Sequence, residues 1–420
     1  MNKSKFMPLC KVASVSISNV DKKTSANESE VLLCNYVDVY RNWAITEGIS
    51  SKLMKATANN HEIEKFSLHK GDVCITKDSE TKDDIGMSTF IADDIQGLVL
   101  GYHCALISPQ KDVLDGKYLN AFLQTEFVRH YYELNASGSG QRYTLTLDII
   151  GSIPVPVIPL AEQRKIGHIF SAIDRKIESN KKINDNLQHQ LKLLYDYWFT
   201  QFDFPDENGK PYRASGGAMV WCDELQREIP KGWKVSSLSD IAVLQAKSVM
   251  PQEGTAYNHY SIPAFDDTHS PAVEDGKAIA SNKYVVPDNS VLVSKLNPQF
   301  KRIWLIIDST DNAICSTEFL PVKATETGVY ALYSLLNSDA FSVHLIQNAS
   351  SSTGSRKRID PDNCMSYKFP YDQKVFARFD KAIQPLLMKI TGIPTETQAL
   401  VALRDWLLPM LMNGQATISD

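Results

Sequence analysis

Cysteine is sparse in these 420 residues: Cys10, Cys34, Cys74, Cys104, Cys222, Cys315 and Cys364 are scattered and form no CxxC pair. That spacing encodes neither a zinc ribbon nor a disulfide framework, and reduced thiols in a cytoplasmic protein are expected. The nine histidines are dispersed, without HExxH spacing. A GxSxG elbow and a GxxxxGK[ST] phosphate loop are missing as well, which removes the usual hydrolase and nucleotide-triphosphatase readings. No apolar run reaches membrane-spanning length, and the opening MNKSKFMPLCKVASVS lacks the apolar core of a signal peptide, so a soluble, unsecreted chain is expected. Positive charge is also in deficit. A formal net charge of −5 excludes a uniformly basic nucleic-acid binder, leaving only local cationic patches.

The sequence does hold enough apolar residues, 43%, for two or three domains with their own cores. In its middle lies PLAEQRKIGHIFSAIDRKIESNKKINDNLQHQLKLLYDYWFTQF. Pro159 suits a first helical turn, whose N–H groups are unpaired anyway, and Glu162 complements the positive end of the helix dipole. Apolar residues then recur every seven positions: Ile166, Ile173, Leu187 and Leu194 in one row, Phe170, Ile177, Leu191 and Trp198 in the other. Asn180 and Asn184 occupy the gaps. This is a coiled-coil seam with a polar middle, and polar seam residues trade stability for register. About 39 helical residues would span roughly 58 Å, the length of a spacer. The C-terminal segment supplies a partner helix. Phe379, Ile383, Leu387 and Ile390 lie on one face, a break is expected at Gly392 and Pro394, and Leu400, Leu403, Leu407 and Leu411 follow.

Each helical segment follows about 150 residues of similar organisation. The first stretch carries FSLHKGDVCITKD, GYHCALISP and then YLNAFLQTEFVRHYYELNASGSGQRYTLTLDIIGSIPVPVIP; the second carries YVVPDNSVLVSKL, CSTEFLPV and then YALYSLLNSDAFSVHLIQNASSSTGSRKRIDPDNCMSYKFPY. Both read strand, strand, helix, Gly/Ser-rich loop ending in Arg, and a last strand with proline. Gly140 and Arg142 match Gly354 and Arg356 at one offset, so the chain reads as module, helix, module, helix, an internal duplication. FDFPDENGKPYRASGG reads as a Pro/Gly/Asp-rich connector into the second module.

Reading DNA requires cations and amides at base edges together with backbone N–H groups near phosphate. The strongest candidates are the loops GSGQRYT, with Gly140, Gln141, Arg142 and Tyr143, and STGSRKR, with Gly354, Arg356, Lys357 and Arg358. Lys77, and Lys295, Asn297, Lys301 and Arg302, follow strand-like runs and are secondary candidates. NPQF (297–300) is near the NPPY motif of adenine methyltransferases, but Gln299 replaces the second proline and no cofactor loop stands nearby. ETK (80–82) is a three-residue match to a nuclease pattern inside a charged loop.

Residues 159–241 and 376–415 resemble the helical regions and module boundary of specificity (S) subunits of type I restriction-modification systems. The resemblance implies an α+β chain of two pseudo-symmetric target-recognition domains, each reading one half of a split double-stranded DNA target, separated by two long antiparallel helices. The expected divisions are 1–158, 159–200, 201–374 and 375–420. It further implies no catalysis and no cofactor on this chain. Methyltransferase (M) subunits, two of them, would dock on the helices, and restriction/translocase (R) subunits would join, with S-adenosylmethionine, ATP and magnesium used on those other subunits. The competing reading from the residues is a self-contained nuclease or methyltransferase carrying a coiled-coil dimerisation element.

Overall fold

A computed structural model describes residues 5–138, 142–350, 356–412 and 418. The protein is α+β and forms two compact units, residues 1–178 with 399–420, and residues 179–398.

The β-branched runs VCIT and SVLVS become strands Val73–Thr76 and Ser290–Ser294, buried at every position, as expected of strands covered on both faces. In the first unit Val73–Thr76 lies between Cys104–Pro109 and Ser88–Ile91, with Ala13–Ile17 and Ala44–Ile45 as outer strands. In the second unit Ser290–Ser294 lies between Phe319–Ala324 and Ile303–Ile306, with Ala242–Leu244 outside the former. A smaller sheet repeats in both. Ser29–Cys34 pairs antiparallel with Met54–Ala58 and parallel with Leu98–Leu100. Ala256–Tyr260 likewise pairs antiparallel with Ala272–Asp275 and parallel with Ala313–Cys315.

Two helices follow in each unit, Gly116–Leu123 with Glu126–Asn135, and Val329–Leu336 with Asp339–Gln347. The second of each pair is started by a hydroxyl cap, Thr125 accepting the Val128 N–H and Ser338 accepting the Phe341 N–H. The last strands, Pro154–Val157 and Lys368–Tyr371, return to pair antiparallel with early ones, Lys5–Pro8 and Lys234–Ser237. The internal repeat read from the sequence is thus a repeat of topology and register. Gly116 shows why glycine opens its helix: a Cβ there would meet the Gly71 carbonyl oxygen at 2.1 Å.

The central helix runs Leu160–Tyr195 and ends in a single π turn, Asp196–Thr200. Ile166, Phe170, Ile173, Asn180, Leu191 and Trp198 are buried, Ile177, Asn184 and Leu187 half-buried. Leu194 departs from the expected row and is 40% exposed. A straight helix drifts about 20° per heptad from a strict seven-residue repeat, so by the fourth repeat the row has rotated off the packed face. Tyr195 packs there instead.

The C-terminal helix corrects a second expectation. Gln373–Met412 is one continuous 40-residue helix through Gly392 and Pro394, with Pro385 and Pro409 inside it too. An interior proline costs about 3 kcal/mol. Here the apolar face continues across the expected break, with Leu387, Ile390 and Ile393 all buried, and that packing outweighs the cost. The 202–217 segment is likewise more than a connector. Phe202 and Phe204 sit in the second unit's core, Phe204 stacked on Tyr212 and Trp233.

Candidate nucleic-acid interface

The candidate residues converge on one structural node that occurs once in each unit. In the first, Lys77 directly follows the buried strand Val73–Thr76; its N–H donates to the His103 carbonyl, and its own carbonyl accepts the Leu145 N–H. In the second, Lys295 follows Ser290–Ser294, donates to the Glu318 carbonyl and accepts from the Ile359 N–H. Lys77 and Lys295 are equivalent positions. Each is stitched between the end of a core strand and the short strand that leaves the Gly/Ser-rich loop.

Around Lys77, the three-stranded ribbon Asp78–Ser79, Tyr143–Thr144 and Ser137–Gly138 brings together residues far apart in sequence. The Lys77 ammonium donates to Asp78 Oδ2 at 2.8 Å, and His103 Nδ1 meets the same oxygen. Burial alone would raise the Asp78 carboxyl, but the hydrogen bonds from Lys77, Thr144 and His103 prevail and hold it below the ordinary carboxylate range. Arg142 is exposed on the loop entering this ribbon, and the Lys82 ammonium sits 5.3 Å from the centre of the Tyr143 ring. Tyr36 stacks on Tyr40, whose hydroxyl donates to Asp84, and the half-exposed Tyr102 ring covers His103. Cations and accessible aromatic faces side by side suit backbone and base contacts to nucleic acid.

Around Lys295 the partner is Glu318. Its carboxylate accepts a forked pair of bonds from Arg358, at 2.8 and 3.1 Å, and is held below its usual range by that guanidinium, with Lys295 and Arg356 adding to the effect. Asn297, at φ +50°, makes the turn that locks the loop: its N–H donates to the Lys357 carbonyl and its side-chain oxygen accepts the Lys357 N–H. This accounts for NPQF as a turn. Arg356 and Lys357 are exposed.

Lys301 and Arg302 do not join this cluster. The Lys301 ammonium donates to the Asn337 carbonyl and pairs with Asp339, while Arg302, 13% exposed in its side chain, grips Asp266 through two bonds of 2.7 and 2.8 Å. Both cations are engaged in holding the second unit together. Gly140, Gln141 and Gly354 lie outside the described residues. Asp78, His103, Lys82 and Glu318 belong to the two nodes but were not legible as such. Their only sequence signal is position beside a strand, and the pairing that matters spans 25 residues for Asp78–His103 and 40 for Glu318–Arg358. Among the described residues no helix is long and apolar enough to cross a membrane, and no three His, Cys, Asp or Glu side chains are grouped to hold a metal ion.

Comparison with known proteins agrees with this architecture. Residues 16–189 match the family model for the type I restriction modification DNA specificity domain. The type I restriction enzyme MjaIX specificity subunit of Methanocaldococcus jannaschii is 25% identical over 324 residues, covering 74% of this chain and 71% of that protein. The HindI specificity subunit of Haemophilus influenzae is 23% identical, covering 84% and 88%. The crystal structure of a type I restriction-modification S subunit from M. genitalium shares the fold, with a TM-score of 0.58 at 14% identity over 98% of this chain and 97% of that one. With two copies of one module topology, each followed by a long helix, and with residues 16–189 matching the specificity-domain model, the chain is similar in sequence and in fold to the specificity subunits of type I restriction-modification systems.

Proposed function

We propose that this chain reads a bipartite double-stranded DNA target, one half-site per unit, and carries no catalysis of its own. The observation that carries the reading is the repeated lysine node. Lys77 and Lys295 hold identical backbone positions, and each is bordered by a cationic loop, Arg142 in one unit and Arg356 with Lys357 in the other. A lysine whose main chain is fixed by two backbone bonds carries its ammonium at a set position, which suits a phosphate contact that sets register without reading sequence. Exposed arginines on the adjoining loops suit base edges, where a bidentate contact discriminates. The acidic partners Asp78 and Glu318 orient these cations and repel phosphate from the wrong approach.

Methyl transfer and cleavage then belong to other subunits, with M and R subunits assembling on this chain and using S-adenosylmethionine, ATP and magnesium there. The long helices are the surface and spacer we assign to that assembly. A self-contained nuclease or methyltransferase finds no support in the family. Exchange of residues 1–158 for the corresponding module of a related subunit, followed by sequencing of the methylated motif in a host supplying M, tests the reading. One half of the motif should change. A rewritten motif in both halves, or none, would refute one reader per unit.

A further inference from the structure

The two units differ at one edge of the main sheet. In the first, Ser88–Ile91 is not the last strand: Ala44–Ile45 lies parallel beside it, with the Phe90 N–H donating to the Trp43 carbonyl at 2.8 Å and the Ala92 N–H to the Ile45 carbonyl at 2.9 Å. The Trp43 ring, 7% exposed, packs against Phe170 of the central helix, and Asn120 donates to the same Trp43 carbonyl. This closing strand comes from the twelve residues, 42–53, between helix Tyr36–Arg41 and strand Met54–Ala58.

The second unit has the same helix and strand, Ile262–Thr268 and Ala272–Asp275, but only three residues, 269–271, between them. Nothing in that link can supply a strand. Ile303–Ile306 is accordingly the last strand of its sheet, and Leu305, which by register against Val291 is the counterpart of Phe90 against Val73, turns its N–H to the open side. Along that side runs a cavity of about 620 Å³, lined by strand residues 303–308, by His269–Pro271, by Tyr333 and Asn337, and by the helix face of Leu387, Ile390 and Thr391. Asn184 also lines it, and its side-chain oxygen is buried without a hydrogen-bond partner in the protein. An unpaired strand edge beside a trough that has an apolar helix face and a polar rim of Asp185, Gln188, Lys301 and Asp308 is a template for strand addition.

We propose that this trough receives an extended segment of another polypeptide in the assembled complex. The segment adds a strand parallel to Ile303–Ile306 and seats an aromatic side chain against the helix, as Trp43-Ala44-Ile45 does within the first unit. The occupant sets its apolar side chains on the face of Leu387 and Ile390, its polar ones toward Asp185, Lys301 and Asp308, and bears one N–H donor for Asn184. The inference rests on the reading of this chain as a subunit of a larger assembly, but not on the DNA contacts. The first unit closes its own edge, so the second alone recruits a strand.

Hydrogen exchange on the full chain, free and in the purified complex, tests this. The amides of 303–307 should exchange at least ten-fold more slowly in the complex, and Thr391→Trp, which fills the trough from the helix side, should abolish that protection while Thr391→Ala keeps it. A synthetic peptide of residues 40–47, YRNWAITE, should bind the free chain saturably and slow the same amides. Unchanged exchange at 303–307 on complex formation overturns the proposal. Protection that appears in the chain alone as its concentration rises overturns it too, in favour of a second copy. Specific DNA binding by the complex, measured in parallel, reports on the functional reading separately.

Discussion

Replacing Asp174 by Asn should stabilise the protein at pH 8 and leave it unchanged at pH 4. Asp174 lies on the central helix within the first unit. Burial raises its carboxyl first, the Glu178 carboxylate adds to this, and Arg404 offsets only part, so that the group titrates at about 7 against an ordinary 3.8. Arg404 is drawn aside because its guanidinium pairs with Asp405 at 3.0 Å. The native state therefore keeps this proton up to about pH 7, whereas the unfolded chain releases it near pH 4. Between those values the native state binds more protons, and stability falls as pH rises. At about 1.4 kcal/mol per pH unit the full effect is about 4 kcal/mol, an upper bound given the high effective dielectric around half-buried groups. Asparagine has the same shape and never ionises. With Tm moving by roughly 2–4 °C per kcal/mol for a unit of this size, the variant should melt above the wild type at pH 8, by up to about 8–16 °C. The gap should shrink on acidification and vanish near pH 4. Calorimetry of both proteins from pH 4 to 8 decides it; a gap independent of pH, or none at pH 8, would refute the argument.

The two seam asparagines should behave in opposite ways. Asn180, 1% exposed, donates to Glu396 at 2.9 Å and to Thr397 at 3.4 Å, so Asn180→Leu should lower Tm through loss of a bond to a charged group, about 1.5–3 kcal/mol. Asn184→Leu removes a buried oxygen that has no partner in the protein and should raise Tm, and equal shifts of one sign in both variants would contradict this. Arg142→Ala and Arg356→Ala should each weaken specific DNA binding of the complex about ten-fold or more; wild-type affinity in both would remove these loops as readers. Arg302→Ala, by contrast, should cost stability through loss of its grip on Asp266 and leave DNA affinity intact, as thermal melting alongside a binding titration will show.

Module order, the internal repeat and the two long helices were legible because they rest on local signals. The buried strands VCIT and SVLVS are runs of β-branched and apolar residues, the helix starts carry proline and hydroxyl caps, and the repeat preserves its spacing over more than 200 residues. Lys77, Arg142, Lys295 and Arg356 stand out as candidates by the same means, as cations at the ends of strands and glycine-rich loops. What the sequence could not reveal depends on contacts between distant residues. Arg302 and Arg358 look alike in one dimension. Only folding brings Asp266 to the first, away from the node, and Glu318 to the second, at the lysine node. The continuity of the C-terminal helix through Gly392 and Pro394 is likewise tertiary, since local propensity favours a break and the buried face of Leu387, Ile390 and Ile393 overrides it. The open edge beside Ile303–Ile306 is the clearest case. It arises from a three-residue link in one unit where the other has twelve, and a missing strand shows only when both sheets are laid out strand by strand.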